Sequence, residues 1–544
     1  MLVSLCGCSV LDTLYPGYDT TLLESAFSPY SDNRSEVVPF EQMEYVRPDI
    51  ENLRAQAEYV EELLDGFASR KEVVAGLDDF FDLYTSFNSM MTLALIRSDI
   101  NIDDEYYLEE NSFCAEAEGD VDRIYDELLL ACSNSSMCSF LDAQYFGGIL
   151  ADDYSITDGS GYTPSDELVT LLRKEAELKN EYSELYVELN LKSDIDSYKK
   201  CNKEMGKIYI ELIKARREIA KLRNFDSYEE YAFRSYGRSY SADDLSEYKQ
   251  AIKDYIVPVY EKASSKGLFD SSDGIVKIDD GKALSTLTDT ISGLDERIDE
   301  ALDFMLSNKL YDVGVSDKKY NQAYVAYIDD YDAPFLFACP SGYSDDILTI
   351  GHEFGHYVDR YLNYDLNCSL DSSEMFSQGM EYLIISNMES GSTKDALTHY
   401  KMLDALSLYI DQACFSEFEQ RAFALPDSEL TVEKLNSIYE ELAEEYGFKD
   451  EYGDEVGLLW ISIPHLFDSP YYVISYCVSD SAAFALYNME LNQKGSGLDM
   501  YMKLIDGAAD YEFLELLNAE GMDSPITADT VKSIADTLSA NLKL

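Results

Sequence analysis

Ile350-Gly351-His352-Glu353-Phe354-Gly355-His356-Tyr357-Val358 is the stretch on which the fold and chemistry of this chain turn. His352 and His356 stand one helical turn apart, so on a helix both imidazoles leave the same side. Their nitrogens can then take two corners of a zinc tetrahedron. Glu353 lies beside the first histidine and can reach a water at the metal without ligating it. Ile347, Ile350, Phe354, Val358 and Leu362 recur in three- and four-residue steps and give the helix an apolar side for burial. Ser344-Asp345-Asp346-Ile347 suits the start of that helix. The chain holds only four histidines, so a chance match to this pattern is a poor explanation.

Zinc needs a third protein ligand and a position left for water. The following segment, Glu374-Met375-Phe376-Ser377-Gln378-Gly379-Met380-Glu381, offers two carboxylates seven residues apart on one helical face. Spacing alone leaves both open, with Glu374 preferred as ligand. Glu381, or Asp346, would then orient an imidazole from behind. Asp371 is a candidate cap for the same helix. Upstream, Ala333-Pro334-Phe335-Leu336-Phe337-Ala338-Cys339-Pro340 is a short apolar run bounded by prolines. It reads as a strand, and the prolines favour a sheet edge.

With these residues in place, H-E-F-G-H followed by E-M-F-S-Q-G-M-E resembles the thimet oligopeptidase and oligoendopeptidase F family of zinc peptidases. The family's metal glutamate opens such a segment, which lands on Glu374. A second likeness lies in Ile463-Pro464-His465-Leu466-Phe467-Asp468-Ser469-Pro470-Tyr471-Tyr472-Val473-Ile474-Ser475-Tyr476. It resembles the family's histidine-and-tyrosine segment facing the zinc, which implies catalytic roles for His465, Tyr472 and Tyr476. The two tyrosines are expected four apart on one helix face. The likeness extends over 320–390 and 458–485, more weakly over 165–245, and is not visible in 1–160. Asp359 departs from it, standing where many members carry another histidine.

The resemblance implies a mainly α, zincin-like fold, with two helical lobes around a deep substrate channel and a small β-sheet beside the zinc helix. It implies one zinc ion per chain and oligopeptide substrates. Glu353 would be the general base, Phe335–Cys339 would pair with the peptide as an added strand, and Phe335, Phe337, Ala338 and Gly342 are the candidate substrate-binding residues. Two alternatives are a zinc carboxypeptidase of the same family and a catalytically silent peptide-binding lipoprotein. The chain is expected to act as a monomer.

The 544 residues exceed what one hydrophobic core usually serves, so more than one lobe is expected. Leu168, Leu171, Leu178, Tyr182, Leu185 and Leu189 form one apolar stripe, interrupted by Glu175. Met205, Ile208, Leu212, Ala215, Ile219 and Leu222 form a second, and the two predict a long helical hairpin. Asp226 with Glu229 predicts a capping box for the next helix. Asp and Glu number 105 against 42 Lys and Arg, a formal net charge of −63. Such a surface repels phosphate backbones, so nucleic acid is excluded as a partner, while cationic peptides and metal ions are attracted.

The chain opens Met1-Leu2-Val3-Ser4-Leu5-Cys6-Gly7-Cys8-Ser9. Leu5-Cys6-Gly7-Cys8 resembles a bacterial lipoprotein processing site, which makes Cys8 the candidate for lipidation. The apolar stretch before it is shorter than the ~7–15 residues of a working signal. The expectation is a lipoprotein anchored by lipid on the extracellular face of a bacterial membrane, with a cytoplasmic protein as the alternative. Residues 1–36 are then a signal remnant and tether, 37–240 an N-terminal helical region and 241–544 the zinc peptidase region. Cys114, Cys132 and Cys138 are close enough in sequence for a local disulfide, or are buried thiols.

Overall fold

The computed structural model describes residues 37–66, 68–146, 150, 166–192, 195–270, 274–363, 368–509 and 511–544. The expected tether and Cys8 lie outside these residues. Three long helices come first: α1 (Ile50–Asp65), α2 (Arg70–Ile100) and α3 (Glu105–Asn134). Ser69 and Glu72 form a reciprocal cap that starts α2, and Asp104 accepts two backbone N–H groups at the start of α3. Leu77, Phe80 and Phe81 join Ile124, Leu128 and Leu129 in a hydrophobic core separate from the rest. Further along α2, Met90, Leu93 and Ile96 enter the larger core instead.

The two apolar stripes lie on α4 (Asp166–Lys192) and α5 (Ile195–Leu222), which pack along each other as the hairpin. Tyr182, Met205, Ile208 and Leu212 are buried in the larger core, which also contains Ile350 and Phe354 of the His352–His356 stretch. The hairpin therefore packs with the larger core rather than with α1–α3. The next helix, α6 (Tyr228–Ser235), is capped one residue later than expected. Ser227 accepts the Glu230 N–H, and Glu230 accepts the Asp226 N–H.

A three-stranded sheet, β1 (Tyr311–Val313), β2 (Ala323–Ile328) and β3 (Ala333–Ala338), has the order β1-β3-β2. β3 is thus the central strand, not an edge, and every residue of it is buried. It runs parallel to β1 and antiparallel to β2. Proline is tolerated because β1 is short. Leu336 donates to Leu310 on the β1 side, and the parity of a strand aims Pro334's missing donor to that same side, beyond the end of β1.

Three helices then build the centre of the larger core: α7 (Asp346–Leu362), α8 (Leu370–Asn387) and, after α9 (Ser392–Phe423), α10 (Ile474–Asn492). α8 packs against both α7 and α10. Two glycines let α7 approach α8 closely. A Cβ on Gly355 would stand 2.6 Å from Phe376 O and from Ser377 Cα, and one on Gly351 would collide with Ile384. Ser369, not Asp371, caps α8; Asp371 is buried in its first turn. The eight described cysteines are all free, and no described helix is long and apolar enough to cross a membrane.

Candidate metal centre

His352 and His356 project from the same side of α7, and Glu374 meets them from α8. Glu374 Oε2 is 3.7 Å from His352 Nε2 and 4.0 Å from His356 Nε2. These are the only described His, Cys, Asp or Glu side chains that converge as a candidate metal-binding set, with ligand atoms within 4.8 Å of one another. Ligand atoms at the corners of a zinc tetrahedron are roughly 3.3–3.4 Å apart, so small side-chain rotations close the set. The separations are too long for direct hydrogen bonds and suit a shared cation.

The opposite ring nitrogens are held from behind. His352 Nδ1 donates to Glu381 Oε1 at 2.9 Å, and Ser373 Oγ lies 3.2 Å from His356 Nδ1. A proton fixed on each Nδ1 leaves each Nε2 lone pair for a metal. Glu381 in turn accepts from Lys401 Nζ of α9 at 2.8 Å. Lys401 has only 1% of its side chain exposed. Electrostatics agree with a cation site. Burial presses the His352 imidazole down, but the Glu381 hydrogen bond and the charges of Glu381, Glu353 and Glu374 lift it to about 9. His356 is pushed well below its usual value by burial and by the neighbouring His352. The donor set thus fits zinc, and His352, His356 and Glu374 would hold it.

Glu353, 1% exposed, follows His352 on the same helix. His465, Tyr472 and Tyr476 form a ring cluster with mutual ring-centroid distances of 5.4–6.1 Å. The Tyr472 hydroxyl reaches Glu374 Oε1 at 3.5 Å. Burial alone pushes His465 down to about 4, so it is neutral at pH 7. Tyr476 lies in the first turn of α10, but Tyr472 precedes that helix. The pair does not share a helix face; a turn brings the rings together.

Two expectations are corrected. Asp346 does not orient an imidazole. Its carboxylate accepts from the N–H groups of Ser341, Gly342 and Tyr343, each at 2.8 Å, and from Ser341 Oγ at 2.9 Å. It ties the turn after β3 to the start of α7, and Gly342 takes φ +86° in that turn. Nor can β3 take the peptide as an added strand. Phe335, Phe337 and Ala338 are buried with strands on both sides, and Gly342 spends its N–H on Asp346 and its carbonyl on Ile278. Ser373 and Lys401 were not legible as site residues. Neither type signals a metal site, and Lys401 lies twenty residues beyond Glu381 on a different helix.

Residues 40–152 match the family model of the peptidase M3 N-terminal domain, and residues 296–530 match that of peptidase family M3. The chain belongs to peptidase family M3. The first of these matches falls on α1–α3, where motif reading finds no likeness because those helices carry packing residues rather than chemistry. Oligopeptidase PepF of Bacillus subtilis is 27% identical to this M3 chain over 238 residues, 40% of the chain and 34% of that protein. An oligoendopeptidase F homolog of Borreliella burgdorferi is 27% identical over 191 residues, 33% of the chain and 32% of its own length. In these matches the chain spans about a third of the length of the curated relatives. The solved structure of PZ peptidase A with an inhibitor superposes with a TM-score of 0.74 at 20% identity, covering 93% of this chain and 99% of that one. At that identity the likeness concerns the fold.

Proposed function

We propose that this M3 chain is a zinc-dependent endopeptidase that hydrolyses peptide bonds in short, unfolded oligopeptides. One observation carries the proposal: the His352–His356–Glu374 set, with Glu353 beside it, is reached by Tyr472, whose ring packs with His465 and Tyr476. When bound, zinc supplies Lewis acidity and makes water acidic near neutral pH. Glu353 takes the proton of the attacking water and passes it to the leaving amine. The scissile carbonyl oxygen gains charge as the attack proceeds. His465, neutral because it is buried, and a tyrosine hydroxyl donate hydrogen bonds that strengthen with that charge.

The test is cleavage of an internally quenched oligopeptide by the wild type and by Glu353→Gln, with zinc measured on both. The glutamine variant is expected to hold zinc yet lose about 100- to 10,000-fold in kcat, the usual contribution of a positioned base. Fragment masses should show internal cuts; loss of single residues from the C-terminus would instead indicate carboxypeptidase action. A wild type that is loaded with zinc but cleaves nothing in a broad peptide mixture would refute the proposal.

A further inference from the structure

Glu175 interrupts the apolar stripe of α4, and its partner explains why. Its Oε1 meets Arg216 Nε of α5 at 2.6 Å, and the Arg216 side chain has no exposed surface. The other guanidinium nitrogens point at main chain. Nη1 donates to Leu466 O at 3.4 Å and Nη2 to Phe467 O. These are the two residues after His465. From the same hairpin, Tyr182 donates to Ile461 O at 3.2 Å and stacks on Phe467 with ring centroids 3.7 Å apart.

A second set of contacts holds the far end of the segment. Arg238 Nη2 donates to the carbonyls of Tyr471 and Tyr472 and to Ser475 Oγ. Glu419 of α9 accepts the Tyr471 N–H at 2.9 Å. Tyr471 has φ +66°, a left-handed conformation that a tyrosine keeps only when its surroundings impose it.

Core burial of Leu466, Phe467, Tyr471 and Val473 and a Tyr236 hydroxyl on the Pro470 carbonyl anchor the segment's side chains and its middle, while the two arginines and Glu419 take the main chain next to His465 and Tyr472. The segment consists of a five-residue helix, Pro464–Asp468, and a turn that leads into α10. No long helical ladder sets its backbone, yet it carries His465 and Tyr472 to the ligand set. Buried ionic groups are a poor source of net stability, because apolar residues of similar size often serve as well. Here a buried arginine, a half-buried arginine and a buried glutamate converge on one short stretch of backbone.

We infer that Arg216, Arg238 and Glu419 are positioning residues that set His465 and Tyr472 against the His352–His356–Glu374 set, and so govern the hydrogen bonds given to the carbonyl oxygen as it gains charge. This role rests on the peptidase function proposed above.

The test uses Arg216→Lys, Arg238→Lys, Glu419→Leu and Glu419→Gln in the full chain. Lysine keeps the charge but not the fork of donors. The probes are the quenched peptide and a phosphinic peptide, whose tetrahedral oxyanion resembles the transition state. Both lysine variants and Glu419→Leu are expected to lose about 10- to 100-fold in kcat, since an ångström of misplacement costs up to about 100-fold. KM should stay within about threefold, and affinity for the phosphinic peptide should fall in step with kcat. Glu419→Gln, which keeps an acceptor for Tyr471, should recover most of the Glu419→Leu loss. In the metal-free chain, backbone hydrogen exchange over 464–476 should quicken in the same variants.

A folded, zinc-loaded set of variants with the kcat and phosphinic affinity of the wild type would overturn the role, as would a change in KM alone. Should the arginine variants not fold, the Glu419 pair decides, since leucine removes a buried polar group without adding one. A wild type that cleaves no peptide overturns the peptidase function and this role together. A wild type that cleaves, with variants equal to it, overturns this role alone.

Discussion

Replacing Lys401 by methionine should weaken the metal site from two bonds away. Lys401 Nζ donates to Glu381 Oε2 at 2.8 Å and stands 3.4 Å from Asp404 Oδ2. Glu381 Oε1 in turn accepts from His352. Methionine keeps the unbranched stem and most of the volume, so no large cavity opens. What is lost is charge. Burial pushes the Glu381 carboxyl up, and the Lys401 charge with the His352 hydrogen bond outweighs it, holding the group below its usual value. Removing one partner of a buried pair costs about 3–5 kcal/mol. Without Lys401, Glu381 tends to take a proton, and a neutral acid orients His352 less firmly. Changes of this kind behind a ligand weaken metal binding by about 10- to 100-fold, or roughly 1.4–2.8 kcal/mol. Chelator competition for zinc measures the second figure, and urea unfolding of the metal-free chain measures the first. A folded Lys401→Met variant with zinc affinity within about twofold of the wild type and unchanged metal-free stability would refute this account.

Ser373→Ala removes a single neutral partner of His356, worth about 0.5–1.5 kcal/mol, so zinc titration should show a smaller loss than for Lys401→Met. Gly355→Ala sets a methyl against backbone of α8 that cannot swing aside. Thermal unfolding should register a loss of about 1–3 kcal/mol together with weaker zinc binding, because Glu374 rides on the displaced helix; an unchanged pair of values would contradict the close packing. Burial lifts the Glu419 carboxyl from 4.5 to about 8. The folded chain therefore keeps a proton that the unfolded chain releases, so this contribution to stability is full below 4.5 and is lost as pH rises through about 8. Urea unfolding of the metal-free chain should show wild type losing ground to Glu419→Gln as pH climbs through that window, and parallel slopes would argue against it.

The two histidines of the candidate metal set were legible because metal binding constrains both residue type and spacing. Two imidazoles one turn apart beside a glutamate meet a constraint that few other functions impose. The hairpin was legible for a similar reason, since a three-four apolar period over α4 and α5 has few other uses. The sheet order was not. An apolar run between prolines suits a sheet edge or a buried centre, and only the placement of β1 and β2 decides between them. Asp346 was misassigned because a carboxylate near a ligand helix serves equally as a support for histidine or as an acceptor for a turn. The likeness over 40–152 was invisible because those helices carry packing residues rather than a chemical motif.

Sequence alone therefore determined that His352 and His356 can hold a metal, with Glu353 beside them and Glu374 or Glu381 to complete the set, because those choices are local to one helix turn and its neighbour. Tertiary structure alone decided what fixes them. Glu381 over Asp346 behind His352, Lys401 behind Glu381, and Arg216, Arg238 and Glu419 around the His465 segment are contacts between elements up to about 250 residues apart. No periodicity or spacing encodes such pairs, since they depend on which helices pack together once the core has closed.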